Sequence, residues 1–344
     1  MRLGERKLRI LQAIIEDYVM SGEPVGSRTI AKKYNLGISS ATIRNEMADL
    51  EEMGYLKQPH TSAGRIPSDK AYRLYVDHLM EVRSLTPEEA KGIKKLYKIK
   101  TEQIEEIIAQ TAKILSDITN YTSIVFKPEL SKVLIKKIKI MPIDEEFALL
   151  IVVTNSGIIR DTIVRFPEGV ESSYLEKISN MLTERFSDKS FLEIDTLIIP
   201  EIRKELAINR QMFNRVVDAL TDSLTEREKK EVYLYGTGNI LNFPEYRDLD
   251  KAKAFLNIME EPELIYDIIK DLAEGGVTVT IGSENPHPDM KDSSIVTATY
   301  HIGDRVIGTI GLIGPTRMEY ARVFSIMDYM GKCLSQYLTQ ILND

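Results

Sequence analysis

The stretch Ser39-Ser-Ala-Thr-Ile-Arg-Asn concentrates hydroxyl, guanidinium and amide groups within two helical turns. Ile43, Met47 and Leu50 recur at i, i+4 and i+7, so they share one face of a helix. Ser39 or Ser40 serves as its N-cap, it runs to about Met53, and Gly54 ends it. The opposite side carries Ala41, Thr42, Arg44, Asn45 and Asp49. These groups match what a DNA major groove displays: guanidinium suits guanine, carboxamide suits adenine, and hydroxyls suit base edges or phosphates. The free N–H groups of the first turn also favour a phosphate.

Three further elements must position that helix. Residues 5–20 place Leu8, Leu11, Ile14, Ile15 and Tyr18 on one side of an amphipathic helix, which Ser21-Gly-Glu-Pro breaks. A short helix follows from about Ser27 to Tyr34, and Asn35-Leu-Gly-Ile makes the turn into the third. After it, Tyr55-Leu-Lys-Gln and Arg65-Ile-Pro read as two strands joined by the turn Pro59-His-Thr-Ser-Ala-Gly. That order is a winged helix-turn-helix. Arg65, near the tip of the wing, is placed to enter a minor groove, and Lys57, His60 and Lys70 add basic groups for the backbone. The plain alternative is three small helices and a hairpin from an unrelated domain; the basic balance and the order of elements favour the wing.

The net charge of −7 is unevenly spread. Residues 1–100 hold 18 Lys+Arg against 13 Asp+Glu, and residues 101–344 hold 27 against 39. A basic head on an acidic body fits a protein whose head alone meets a polyanion. At 344 residues the chain is long enough for two or three domains. The longest unbroken apolar stretch, Phe147–Val153, is far short of the roughly 20 residues of a membrane span. The start has no apolar run of a secretory signal, and Cys333 is the only cysteine, which excludes an internal disulfide. A cytoplasmic location is expected, with no membrane partner.

Residues 68–118 read mainly as helix, broken at Thr86-Pro87. The cations Lys91, Lys94, Lys95, Lys98 and Lys100 form a solvated face or, less simply, touch DNA backbone. From Val133 the period changes. Val133–Met141, Phe147–Thr154 and Ile158–Phe166 read as a hairpin meander, with a helix at about 171–186. Ser294–Ile302 and Arg305–Ile313 repeat the strand signature before a helix from Pro315 to Leu342. These strand groups are expected to share one antiparallel α+β domain, interrupted by about 188–276. Within the interruption Leu206, Met212, Phe213, Val216 and Leu220 are plentiful apolar residues for so short a segment. They suit a subunit interface, with an ordinary small core as the alternative.

No catalytic constellation is found. Gly308, Gly311 and Gly314 fit neither standard nucleotide fingerprint and read as close packing. The four histidines are scattered, and His287 with Asp289 is too few ligands for a metal. No enzyme activity, metal or cofactor is expected.

The segments Val25-Gly-Ser-Arg-Thr-Ile-Ala, Ser39 to Leu56, and His60 to Asp77 (Pro67-Ser-Asp-Lys-Ala-Tyr-Arg-Leu-Tyr-Val-Asp at its end) resemble the HrcA family of heat-inducible transcription repressors. The similarity returns in Gly308-Thr-Ile-Gly-Leu-Ile-Gly-Pro-Thr-Arg-Met-Glu-Tyr. The resemblance implies a multidomain α+β chain: an N-terminal winged helix-turn-helix and a GAF-like α+β domain interrupted by an inserted α/β dimerisation domain. The expected boundaries are 1–75 for the head, 76–100 for a helical basic linker, 101–187 and 277–344 for the two GAF-like parts, and 188–276 for the insertion. It further implies a homodimer on an inverted-repeat DNA operator of chaperone genes, with activity dependent on a GroEL-type chaperonin. The alternative is a winged-helix regulator controlled by a small molecule bound in its GAF-like domain.

Overall fold

The computed structural model describes residues 3–60, 63–97, 104–126, 134–154, 159–165, 171–190, 193–194, 232–270, 272, 275–302 and 305–343. The expected interface residues Leu206, Met212, Phe213, Val216 and Leu220, like Lys98 and Lys100, lie outside them. The chain divides into two units, one of residues 1–125, 232–299 and 309–332, the other of residues 126–231, 300–308 and 333–344.

The first unit begins with α1 (Glu5–Ser21), which turns Ile10, Leu11, Ala13, Ile14 and Ile15 inward. It ends at Gly22, whose N–H bonds the Tyr18 carbonyl at 2.8 Å. Helices α2 (Ser27–Lys33) and α3 (Ser40–Glu52) follow, then the antiparallel pair β1 (Leu56–Lys57) and β2 (Ile66–Pro67). Ile30, Ile43, Met47, Leu50 and Leu56 close a core with the apolar side of α1. Fully burying each large aliphatic side chain is worth about 1.5–3 kcal/mol. The wing is pinned by a two-way bridge between Val25 and Arg65, each N–H to the other's carbonyl at 2.9 Å. The bridge needs glycine beside it: a Cβ on Gly64 would lie 2.4 Å from the Val25 carbonyl oxygen. Ser68 then caps α4 (Asp69–Leu74), which passes into a π-turn at Tyr75–Leu79.

The same unit continues through α5 (Pro87–Leu96), opened by a Thr86–Glu89 capping box, and α6 (Ile104–Thr119). Strand β3 (Thr122–Phe126) follows α6. The second unit contains β4 (Ile135–Pro142), β5 (Phe147–Thr154) and β6 (Ile159–Arg165), paired in that order and antiparallel, and α7 (Ser172–Phe186). One sheet face packs on α7 through Ile138, Ile140, Leu150, Val152, Leu182 and Phe186. The helix also shields the edge of β4. Thr183 Oγ1 accepts from the Ile138 N–H at 3.0 Å and donates to its carbonyl at 2.9 Å, while Ser179 Oγ accepts from the Ile140 N–H at 2.9 Å. Satisfying these groups removes a template for unwanted strand pairing.

Back in the first unit come β7 (Val232–Tyr235), α8 (Leu249–Met259), α9 (Pro262–Lys270) and β8 (Val277–Ile281), then β9 (Ser293–Ile302), β10 (Arg305–Pro315) and α10 (Tyr320–Asn343), of which residues 300–308 and those from 333 on belong to the second unit. The sheet of the first unit has the order β7-β3-β10-β9-β8. This differs from the expected topology, in which strands from 133–166 share a sheet with those from 294–313. The place beside β10 is taken by β3, with Ile124 opposite Gly311, and β4–β6 close among themselves. The reason is local. All five residues of β3 are buried, Thr122 and Ser123 among them, so it shows no alternation, whereas β4–β6 are satisfied by their own hairpins. The gap in the five-stranded sheet therefore falls between Phe126 and Val232. Among the described residues no helix is long and apolar enough to cross a membrane.

Candidate nucleic-acid interface

Helix α3 separates its two faces cleanly. Ile43, Met47 and Leu50 are buried, while Ala41, Arg44, Asn45, Ala48 and Asp49 are exposed. Ser39 is the N-cap: its Oγ accepts the Thr42 N–H at 3.2 Å and lies 3.0 Å from the Thr42 hydroxyl. Such a cap is worth about 1 kcal/mol and fixes where the first turn begins. Ser40 and Thr42 are half-buried on that turn.

Two acids of α3, Glu46 and Asp49, are paired from α1. Lys7 Nζ lies 2.7 Å from Glu46 and 2.9 Å from Asp49, and Arg6 reaches Glu46 at 3.6 Å. Hydrogen bonds to Glu46 and then Asp49 raise the Lys7 ammonium above its ordinary pKa. Arg44 and Asn45 form no ion pair or side-chain hydrogen bond with the described residues. Arg44 thus stands as an uncompensated cation on a face whose carboxylates are already paired.

Lys57 and His60 are exposed at the two ends of the first wing strand's exit, and Lys57 too has no partner among the described residues. Two expected contacts are placed otherwise. Arg65 sits at the base of the wing rather than its tip, where Nε and Nη2 meet Glu51 Oε2 at 2.8 and 2.7 Å. The Val25 bridge fixes its backbone there, so its side chain braces the wing against the end of α3. Lys70 Nζ donates to the Met53 carbonyl at 2.9 Å and lies 4.3 Å from the Tyr55 ring centre. It caps the C-terminal, negative end of α3.

Two exposed cations without described partners, Arg28 and Lys32, lie on α2, to which the sequence reading gave no role. The signal was available, because the first helix of a helix-turn-helix crosses the DNA backbone. The glycines at 308, 311 and 314 all fall inside β10, so they form no phosphate loop ahead of a helix.

The profile described as "Winged helix-turn-helix transcription repressor, HrcA DNA-binding" matches residues 2–79, and that described as "HrcA protein C terminal domain" matches residues 105–324. A protein of Ruminiclostridium cellulolyticum named "Heat-inducible transcription repressor HrcA" is 45% identical over 347 residues, covering 100% of each chain. One of the same name from Alkaliphilus metalliredigens is 45% identical over 338 residues, covering 98% of each. A solved structure described only as a hypothetical protein shares the fold, with a TM-score of 0.68 at 23% identity over 99% of this chain and 100% of that one.

Proposed function

The chain belongs to the HrcA family of heat-inducible transcription repressors, a family of DNA-binding regulators and not of enzymes, and on that premise we propose that it acts in the cytoplasm as a homodimer on an inverted-repeat operator of chaperone genes. The observation that carries the reading is the exposed Arg44–Asn45 pair on the outer face of α3, without a partner among the described residues. In this reading α3 lies in the major groove, with Arg44 and Asn45 on base edges and Ser39, Ser40 and Thr42 at its entry. Lys57, His60, Arg28 and Lys32 meet phosphates. Arg65 and Lys70 act indirectly by holding the wing and α4 to the end of α3.

One head reads one half-site, so an inverted repeat calls for two copies. The open face of β4–β6 suits the second copy. Met141, Phe147, Ile159 and Ile163 are exposed on it, with Leu149, Ile151 and Val153 half-buried between them. Its central row reads Lys139, Ile151, Asp161 across the three strands. A two-fold axis along β5 sets β4 of each copy over β6 of the other, so that Lys139, which lies 3.7 Å from Glu176 in its own chain, comes opposite Asp161 twice. Within the family reading, the α+β part of the first unit is the GAF-like domain. Chaperonin dependence is supported by the pairing of residues 124 and 311, a non-local closure that folds slowly and leaves apolar strands open meanwhile.

Footprinting on the chain's own chaperone promoter tests the reading. Protection of two symmetric half-sites about one helical turn, or a multiple of it, apart is expected; protection of one unpaired site, or none, contradicts it. Refolding scored by DNA binding, with and without a GroEL-type chaperonin and ATP, tests the dependence. Equal recovery in both removes it.

A further inference from the structure

Two of the segments that carry the family resemblance, Pro67 to Asp77 and Gly308 to Tyr320, meet in space, with Tyr72 beside Tyr320. They do so in the first unit, where the winged helix docks on the sheet domain, and three directional contacts converge there.

The first is at the C-terminus of α1, which has no basic residue in its last turn. Arg317 supplies one: Nη1 donates to the Val19 carbonyl at 3.0 Å. The same guanidinium forks onto Glu245 at 2.7 and 3.4 Å, and its side chain is only 12% exposed. The second is Asp69 in the first turn of α4, which accepts the Ser283 N–H at 2.9 Å. Close approach here requires glycine, because a Cβ on Gly282 would lie 2.4 Å from the Asp69 carboxyl carbon. The third is Arg73, which forks onto both carboxylate oxygens of Glu284 and donates to the Val279 carbonyl at 2.7 Å. Between them Tyr72 is buried 5.8 Å from the Tyr320 ring centre, with a hydroxyl that finds no partner among the described residues.

Apolar packing tolerates sliding, but a guanidinium fork on a carboxylate works only over a narrow range of angles. Two such forks and the Asp69–Ser283 hydrogen bond, set around one buried aromatic pair, fix an orientation as well as an association. We propose that Asp69, Arg73 and Arg317 are positioning residues for DNA binding. They lock each winged helix at one angle, so that a dimer accepts only one spacing between half-sites. The proposal rests on the dimeric reading above.

The test uses the full chain and the inverted-repeat duplex that the wild type selects from a random pool. Arg73→Ala, Arg317→Ala and Gly282→Ala are each measured on that duplex, on spacers changed by about five base pairs (half a helical turn), and on a single half-site. Wild type prefers its native spacing. Each variant is expected to keep half-site affinity within about twofold while its spacing preference falls by roughly tenfold. The swap Arg73→Glu with Glu284→Arg, which restores an ion pair, recovers part of that preference. Variants that retain the full spacing preference overturn the proposal. So do variants that lose half-site binding equally, because the contacts then only maintain the fold of the head. A wild type indifferent to spacing overturns the dimeric reading, and the proposal with it.

Discussion

The outer face of α3 and the open face of the β4–β6 sheet both leave side chains exposed among the described residues, and their chemistry is opposite. On α3 the exposed groups are a guanidinium, a carboxamide and small side chains, with neighbouring acids already paired to Lys7 and Arg6. Water satisfies such a surface well, so it awaits a ligand without needing one. On the sheet, Ile159 and Ile163 are 62% and 63% exposed, beside Met141 and Phe147. Each square ångström of apolar area left wet costs about 25 cal/mol, so this surface gains by being covered. In the proposed reading the polar face serves recognition and the apolar face serves assembly.

Charging the apolar face is the strongest way to break this distinction. Ile163→Glu is expected to convert the dimer to a folded monomer, because burying an unpaired carboxylate costs several kcal/mol. Sedimentation gives the mass and near-UV dichroism the fold. A folded variant that stays dimeric shows that the interface lies elsewhere.

Next in size is a contrast within α3 itself. Leu50→Ala, on the buried face, is expected to cost about 2–5 kcal/mol of stability by leaving a cavity. Asn45→Ala, on the exposed face, should change stability by no more than about 0.5 kcal/mol. Denaturant titration of both variants is the check, and a comparable loss for Asn45→Ala means that its side chain is structural.

Arg65 and Lys57 differ more subtly. Arg65→Ala should loosen the wing through the lost Glu51 pair, a part-buried contact worth about 1 kcal/mol, and should lower the melting temperature. Lys57→Ala should leave the melt unchanged and reduce the slope of log affinity against log salt by about 0.9, the loss of one phosphate contact. If Arg65→Ala reduces the salt slope and spares the melt, its side chain reaches DNA after all.

What was legible in the sequence was local. The spacing of Ile43, Met47 and Leu50 and the Ser39 cap define α3 before any contact is known, and the three runs of β4–β6 stand out by their β-branched residues and the turns between them. What depended on remote partners was hidden. Arg65 looks like any wing cation until the Val25 bridge turns it toward Glu51, and Lys70 looks free until the chain returns to Met53. Strand β3 is short and buried on both faces, so nothing in its pattern announces that it pairs with β10. The docking contacts of Asp69, Arg73 and Arg317 join residues more than two hundred positions apart, beyond the reach of any spacing rule.

The central claim, that the outer face of α3 reads bases, is tested most directly by the ratio of operator to random-duplex affinity for Arg44→Ala at fixed salt. Base reading by Arg44 lowers the discrimination free energy by about 1–3 kcal/mol, the worth of one bidentate base contact, while affinity for random DNA changes little. An equal loss on both duplexes would place Arg44 on a phosphate and contradict the claim.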